Sequence, residues 1–147
     1  MPIYLGLLLI ALVLGAMWYI KRPTQTPPPP ETDREIPKPQ VIKPQELDML
    51  LQGQPDQIFL LDVRGRKEFI KGQKLDPVVN VPVSFIMYRI KDIPKDKKIV
   101  AVCASGNRSL TAASVLMMQN YSDVVTLEGG MNAWLSYKGI AKQPGCA

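Results

Sequence analysis

The sequence predicts an α/β fold: a parallel sheet flanked by helices on both faces, preceded by a single transmembrane helix. Three observations carry this. Apolar runs rich in β-branched residues recur at Ile58 to Val63, Ile99 to Val102 and Val124 to Leu127, each of strand length. Helix-compatible segments lie between them, and strands alternating with helices over about a hundred residues argue for a parallel sheet covered on both sides. Residues 3–20, IYLGLLLIALVLGAMWYI, hold no charge, and as a helix they reach about 27 Å, close to the hydrocarbon thickness of a bilayer.

Taken in order, the apolar span ends at Lys21 and Arg22. Basic residues beside a span tend to stay on the cytoplasmic side, so the chain after Lys21 is expected in the cytoplasm, as in a bacterial inner-membrane protein. Trp18 and Tyr19 suit the interfacial belt. A cleaved export signal is the competing reading, and the absence of a basic segment before residue 3 weighs against it. Residues 21–40 form a Pro-rich linker, with Pro27 to Pro30 in a row. Such a composition cannot bury a core and favours extended polyproline II, enough to span about 60 Å.

The domain is expected over residues 41–142. Val41 and Ile42 make a short first strand, and Lys43 to Gln52 a helix with Pro44 in its first turn. Ile58 to Val63 is the second strand; Arg66 to Lys71 is a short helix closed by Gly72. Val78 to Val81 is the third strand, stopped by Pro82, and Val83 to Ile90 is expected as a helix. Ile99 to Val102 is the fourth strand. Ser109 to Gln119 is a largely apolar helix, with Asn120 placed for a left-handed cap. Val124 to Leu127, the turn Glu128-Gly129-Gly130 and the helix Met131 to Tyr137 complete the domain, and residues 143–147 form a flexible tail.

Composition narrows the chemistry. The chain has 147 residues, a net charge of +5, no histidine and two cysteines, Cys103 and Cys146. Without histidine there is no Cys-His proteolysis and no imidazole acid-base or metal chemistry. Without Cys-x-x-Cys there is neither a four-thiolate zinc site nor a thioredoxin-type pair. Residues 41–147 carry 14 Lys and Arg against 10 Asp and Glu. That excess is spread out apart from Lys95, Lys97 and Lys98, so nucleic acid is not an expected partner. No cofactor and no metal are expected.

The chemistry-bearing stretch is Ile99 to Ser109, IVAVCASGNRS. It puts Cys103 at the carboxyl end of a strand, before a Gly-containing turn and a helix start. Ligands bind beyond strand ends in open α/β sheets, and a helix N-terminus there turns N–H groups and a positive dipole end toward the loop. A free thiol titrates near about 8.5, and such a cradle lowers that value. Cys103 therefore reads as an activated nucleophile rather than a core thiol. Cys146 is a candidate resolving thiol, although an exposed tail cysteine without a role is the favoured reading.

Asp62-Val63-Arg64 with Glu68-Phe69, Asn80-Val81-Pro82, Cys103-Ala-Ser-Gly-Asn-Arg108-Ser109, and Leu127-Glu-Gly-Gly130 with Ala133-Trp134 resemble the signature blocks of a single-domain rhodanese. The resemblance covers about residues 41 to 140 and departs from the family's pattern at Gly72 to Pro77. It implies a sulfurtransferase in which Cys103 takes a sulfane sulfur from thiosulfate or a persulfide and passes it to cyanide or another thiol, a protein acceptor included. It implies Cys103 as sulfur carrier and Arg108 as the residue that fixes the loop. The backbone amides of Ala104, Ser105, Gly106, Asn107 and Arg108 would form an anion hole. Asp62 and Arg64 would brace the pocket rim; a structural ion pair or cap, such as Arg64 with Glu68, is the favoured alternative. Two other functions are weighed. A membrane-tethered docking module would not need Cys103. A cysteine phosphatase would need five residues between Cys and Arg, where four stand here.

Overall fold

The computed structural model describes residues 36–140. The expected span 3–20, residues 21–35 of the linker and the tail with Cys146 lie outside the described residues. Among the described residues no helix is long and apolar enough to cross a membrane.

Five strands form one parallel sheet: β1 (Gln40–Ile42), β2 (Ile58–Asp62), β3 (Val79–Asn80), β4 (Lys98–Val102) and β5 (Val124–Leu127), in the order β1-β5-β4-β2-β3. The four helices are α1 (Pro44–Gly53), α2 (Arg66–Lys71), α3 (Asn107–Met118) and α4 (Gly130–Tyr137). Strand β4 is central, so the Cys103 that follows it emerges at the middle of the sheet.

Alternate strand residues face opposite sides, which is the period-2 rule for a pleated strand. Leu60, Val100, Val102 and Val125 pack with Leu47 of α1 and with Met131, Trp134 and Leu135 of α4. Leu61, Val63, Ile99 and Val124 pack on the other face with Ala112, Ala113 and Leu116 of α3. Both faces are thus covered, as the apolar runs predict, and the small side chains of α3 let it lie close to the sheet. Helix α1 starts with Pro44 in its first turn, and the Glu46 carboxylate accepts the Lys43 N–H at 2.8 Å. Asn120 takes the left-handed conformation expected after α3, with φ +63°.

Three elements differ from expectation. Residues 83–90 do not form an α-helix; they form two short 3₁₀ turns, Val83–Phe85 and Ile90–Asp92, around one looser turn. The Val83 N–H is spent on Val63 O at 3.1 Å, and the Tyr121 hydroxyl lies 2.7 and 2.9 Å from the Ile90 and Ile93 carbonyls. Those bonds tie the ends of the segment to Val63, just after β2, and to Tyr121, after α3. Strand β3 is two residues long, Val79–Asn80, rather than the four of Val78 to Val81, although the N–H groups of Val81 and Val83 still reach Asp62 O and Val63 O on either side of Pro82. Helix α2 does end at Gly72, whose N–H donates to Glu68 O at 2.9 Å, but with φ −90° and not in a left-handed cap.

The start of α4 packs closely against the loop after β4. Gly130, at φ +58°, lies so close that a Cβ there would sit 2.3 Å from Cys103 O and 2.8 Å from Ala104 O. Only glycine fits both the angle and the space. Gly130→Ala is therefore expected to destabilise the domain by about 2 to 5 kcal/mol, combining left-handed strain with overpacking. Gly53→Ala, where nothing lies within 4 Å of the new Cβ, should be neutral or stabilising by up to about 1 kcal/mol. Urea unfolding midpoints of the two variants check the contrast.

Candidate active site

Cys103 has no accessible surface, and its sulfur is held by the loop that follows it. The Gly106 N–H donates to Cys103 Sγ at 3.1 Å, and Ser109 Oγ lies 3.7 Å from the same sulfur. The Ser109 hydroxyl donates to Gly106 O at 2.7 Å, so it braces the turn and can rotate onto the sulfur when the proton leaves. Gly106, at φ +106°, is the residue before α3. Its left-handed backbone turns the chain from the strand into the helix, aiming the start of α3 at the thiol.

Burial pushes the Cys103 thiol pKa up. The N–H groups of Ser109, Gly106 and Ser105, with the Ser109 hydroxyl, outweigh that effect and hold it below the ordinary thiol value. The thiolate is stabilised by dipoles rather than by an adjacent base. Of the amides expected to form the anion hole, those of Ser105 and Gly106 act on the sulfur. Ala104 turns its carbonyl away, accepting the Asn132 N–H at 3.0 Å, and the Cys103 carbonyl accepts the Met131 N–H at 2.7 Å. Asn107 lies exposed in the first turn of α3, its carbonyl 3.5 Å from Thr111 Oγ1.

Arg108 does not face the sulfur as a free cation. Its guanidinium donates to both carboxylate oxygens of Glu68, at 2.8 and 2.9 Å. This fork tethers the first turn of α3 to α2. Hydrogen bonding to Arg108 lowers the Glu68 pKa, and the same bond raises that of Arg108. Sequence reasoning missed this partner. The expected alternative of Glu68 with Arg64 is corrected, because Arg64 is consumed elsewhere.

Asp62 and Arg64 form a buried pair, 1% and 2% exposed. Arg64 Nη2 lies 2.7 Å from Asp62 Oδ2, and Arg64 Nε and backbone N–H also reach the carboxylate. Arg64 Nη2 further donates to Gln73 O at 2.8 Å. The pair therefore pins the divergent Gly72–Pro77 loop against the end of β2, the structural role favoured above. Asn80 Nδ2 completes the brace, donating to Asp62 O and Arg64 O at 3.0 and 2.9 Å. Gly129 and Gly130, both at positive φ, serve the turn into α4, and Trp134 lies in the core.

Comparison with known proteins agrees with this geometry. The rhodanese-like domain family matches residues 43–137. A sulfurtransferase of Allochromatium vinosum is 38% identical over 79 residues, covering 54% of this chain and 73% of the relative. The thiosulfate sulfurtransferase GlpE of Pseudomonas syringae is 35% identical over 75 residues, covering 51% and 70%. The crystal structure of a rhodanese-related protein from Thermoplasma volcanium superposes with a TM-score of 0.59 at 29% identity, over 69% of this chain and 95% of that one. A parallel sheet that delivers a cysteine into a loop of inward amides, matched over residues 43–137, makes the chain a member of the rhodanese-like domain family.

Proposed function

We propose that this protein is a sulfurtransferase that carries sulfur as a persulfide on Cys103. The observation that carries the reading is the Gly106 N–H at 3.1 Å from a buried sulfur whose pKa is lowered. The names of the relatives from Allochromatium vinosum and Pseudomonas syringae support it. In the first half-reaction the Cys103 thiolate attacks the outer sulfur of thiosulfate. The S–S bond of the donor breaks with its electron pair leaving on sulfite, and Cys103 becomes a persulfide anion. In the second, cyanide or a thiolate attacks the outer sulfur of that persulfide, the Cys103 S–S bond breaks, and the thiolate returns. Both persulfide and thiolate are anions, and inward amides stabilise either without rearrangement.

Burial of Cys103 selects for a slim terminal sulfur over a bulky electrophile. Arg108, engaged by Glu68, acts by holding the loop. The uncharged side chains of Ala104, Ser105 and Asn107 add no cation for a dianion, which supports broad persulfide handling beside thiosulfate. Tethering by residues 3–20, with the domain on the cytoplasmic side, rests on the sequence alone.

In thiosulfate-to-cyanide transfer by the full-length chain, Cys103→Ser is expected to reduce thiocyanate formation to background while leaving the unfolding midpoint unchanged. Wild-type activity in that variant would overturn the mechanism. The lowered thiol pKa also sets a pH dependence. Alkylation of Cys103 by iodoacetamide should rise with a midpoint below the value of about 8.5 of an ordinary cysteine, and Ser109→Ala should move the midpoint up. Because the fold favours the thiolate, its contribution to stability is present above the ordinary thiol pKa and is lost as pH falls through the lowered one.

A further inference from the structure

A groove of about 250 Å³ opens beside β3, walled by Arg66, Pro82, Phe85, Tyr88 and Arg89 and floored by Asn80 and Val81. It exists because residues 83–92 are not an α-helix. The 3₁₀ turns bury Ile86 but leave Phe85, Met87 and Tyr88 outward, 54%, 51% and 83% exposed, with the two aromatic rings 6.4 Å apart. Exposed aromatic and Arg side chains gathered on one rim are the composition of a protein-binding surface rather than of inert surface.

Charge says what kind of partner fits. The two segments that bound the groove, Arg66–Lys71 and Val83–Asp92, carry Arg66, Lys67, Lys71, Arg89 and Lys91 against only Glu68 and Asp92. Both of those carboxylates are already engaged, Glu68 by Arg108 and Asp92 by Arg89, so the excess that remains is Arg66, Lys67, Lys71 and Lys91. Arg66 has no ion pair among the described residues. Position completes the argument. The floor residue Asn80 is tied to Asp62 O and Arg64 O, and the Val63 N–H to Val102 O, immediately before Cys103. The groove thus lies two strands from the thiol, about 10 Å at ordinary strand spacing, or about three residues of extended peptide.

We propose that this groove docks an acidic segment of a thiol-bearing acceptor protein, and this rests on the sulfur-transfer reading above. A carboxylate of the segment meets Arg66, and its apolar groups cover Phe85 and Tyr88. The acceptor thiolate then attacks the outer sulfur of the Cys103 persulfide; the Cys103 S–S bond breaks, the acceptor leaves as its persulfide, and the Cys103 thiolate is regenerated.

The test is fluorescence anisotropy of the full-length chain with a short labelled glutamate-rich peptide, beside a lysine-rich counterpart. The glutamate peptide is expected to bind at least about tenfold more tightly than the lysine peptide. Arg66→Glu combined with Tyr88→Ala should remove that preference, as loss of an Arg and Tyr anchor does. Both residues are exposed, so thiosulfate-to-cyanide transfer by the double variant should match wild type. Equal binding of the two peptides, binding of neither, or a preference that survives the double variant would each overturn the proposal. Anisotropy needs no turnover, so failure of docking and failure of sulfur transfer are read separately.

Discussion

Two hydrogen bonds from the start of α4 govern the site. The N–H groups of Met131 and Asn132 hold the carbonyls of Cys103 and Ala104 at 2.7 and 3.0 Å. A trans peptide carries its C=O and N–H on opposite sides. Anchoring the first two carbonyls on α4 therefore leaves the following amides free to turn toward the sulfur. The orphan donors at a helix start usually go to a cap, water or a ligand; here two of those of α4 go to the backbone of the Cys103 loop. Gly130 is what permits the approach, since a Cβ would meet the very carbonyls being held.

The charged residues near Cys103 work by neutralising one another. Arg108 with Glu68 and Arg64 with Asp62 are closed pairs, the second fully buried. A buried pair is costly to assemble and more costly to break, so it reports a fixed local arrangement better than a gain in stability. The loop after β2 and the first turn of α3 are thereby held at both ends while the sulfur sees mainly amide dipoles. Such an environment changes little between thiolate and persulfide, the two anions that the proposed cycle alternates between.

Strands, helix order and the cysteine loop were legible because each rests on local pattern: β-branched apolar runs, a glycine before a helix, an Asn where φ turns positive. Residues 83–90 were not, since Ile86, Ile90 and Ile93 have helical spacing. The ends of the segment are fixed instead by bonds to Val63 and Tyr121, residues far away in the chain. The partner of Glu68 was hidden for the same reason. Nearby Arg64 sits four residues before Glu68, whereas Arg108 stands forty away and comes close only when α2 and α3 flank the same strand ends. For Asp62 and Arg64 the residue types allowed either a rim or a pair, and burial at the end of β2 decided it.

The chain's lack of histidine fits sulfur transfer better than phosphate-ester hydrolysis. When the thiolate attacks thiosulfate, sulfite leaves as a stable anion and no proton has to be delivered to it. An alkoxide leaving group is different, because it needs a general acid whose pKa lies near the working pH. Glu68 is the carboxylate fastened to the loop through Arg108, and that bond lowers its pKa, which keeps it ionised and unable to donate. The four-residue loop between Cys103 and Arg108 encloses one sulfur atom with amides, while its arginine is bound to Glu68 rather than free to clamp an oxyanion. A buried thiol surrounded by amide dipoles, with its nearby Glu68 held ionised, is suited to exchanging one soft anion for another.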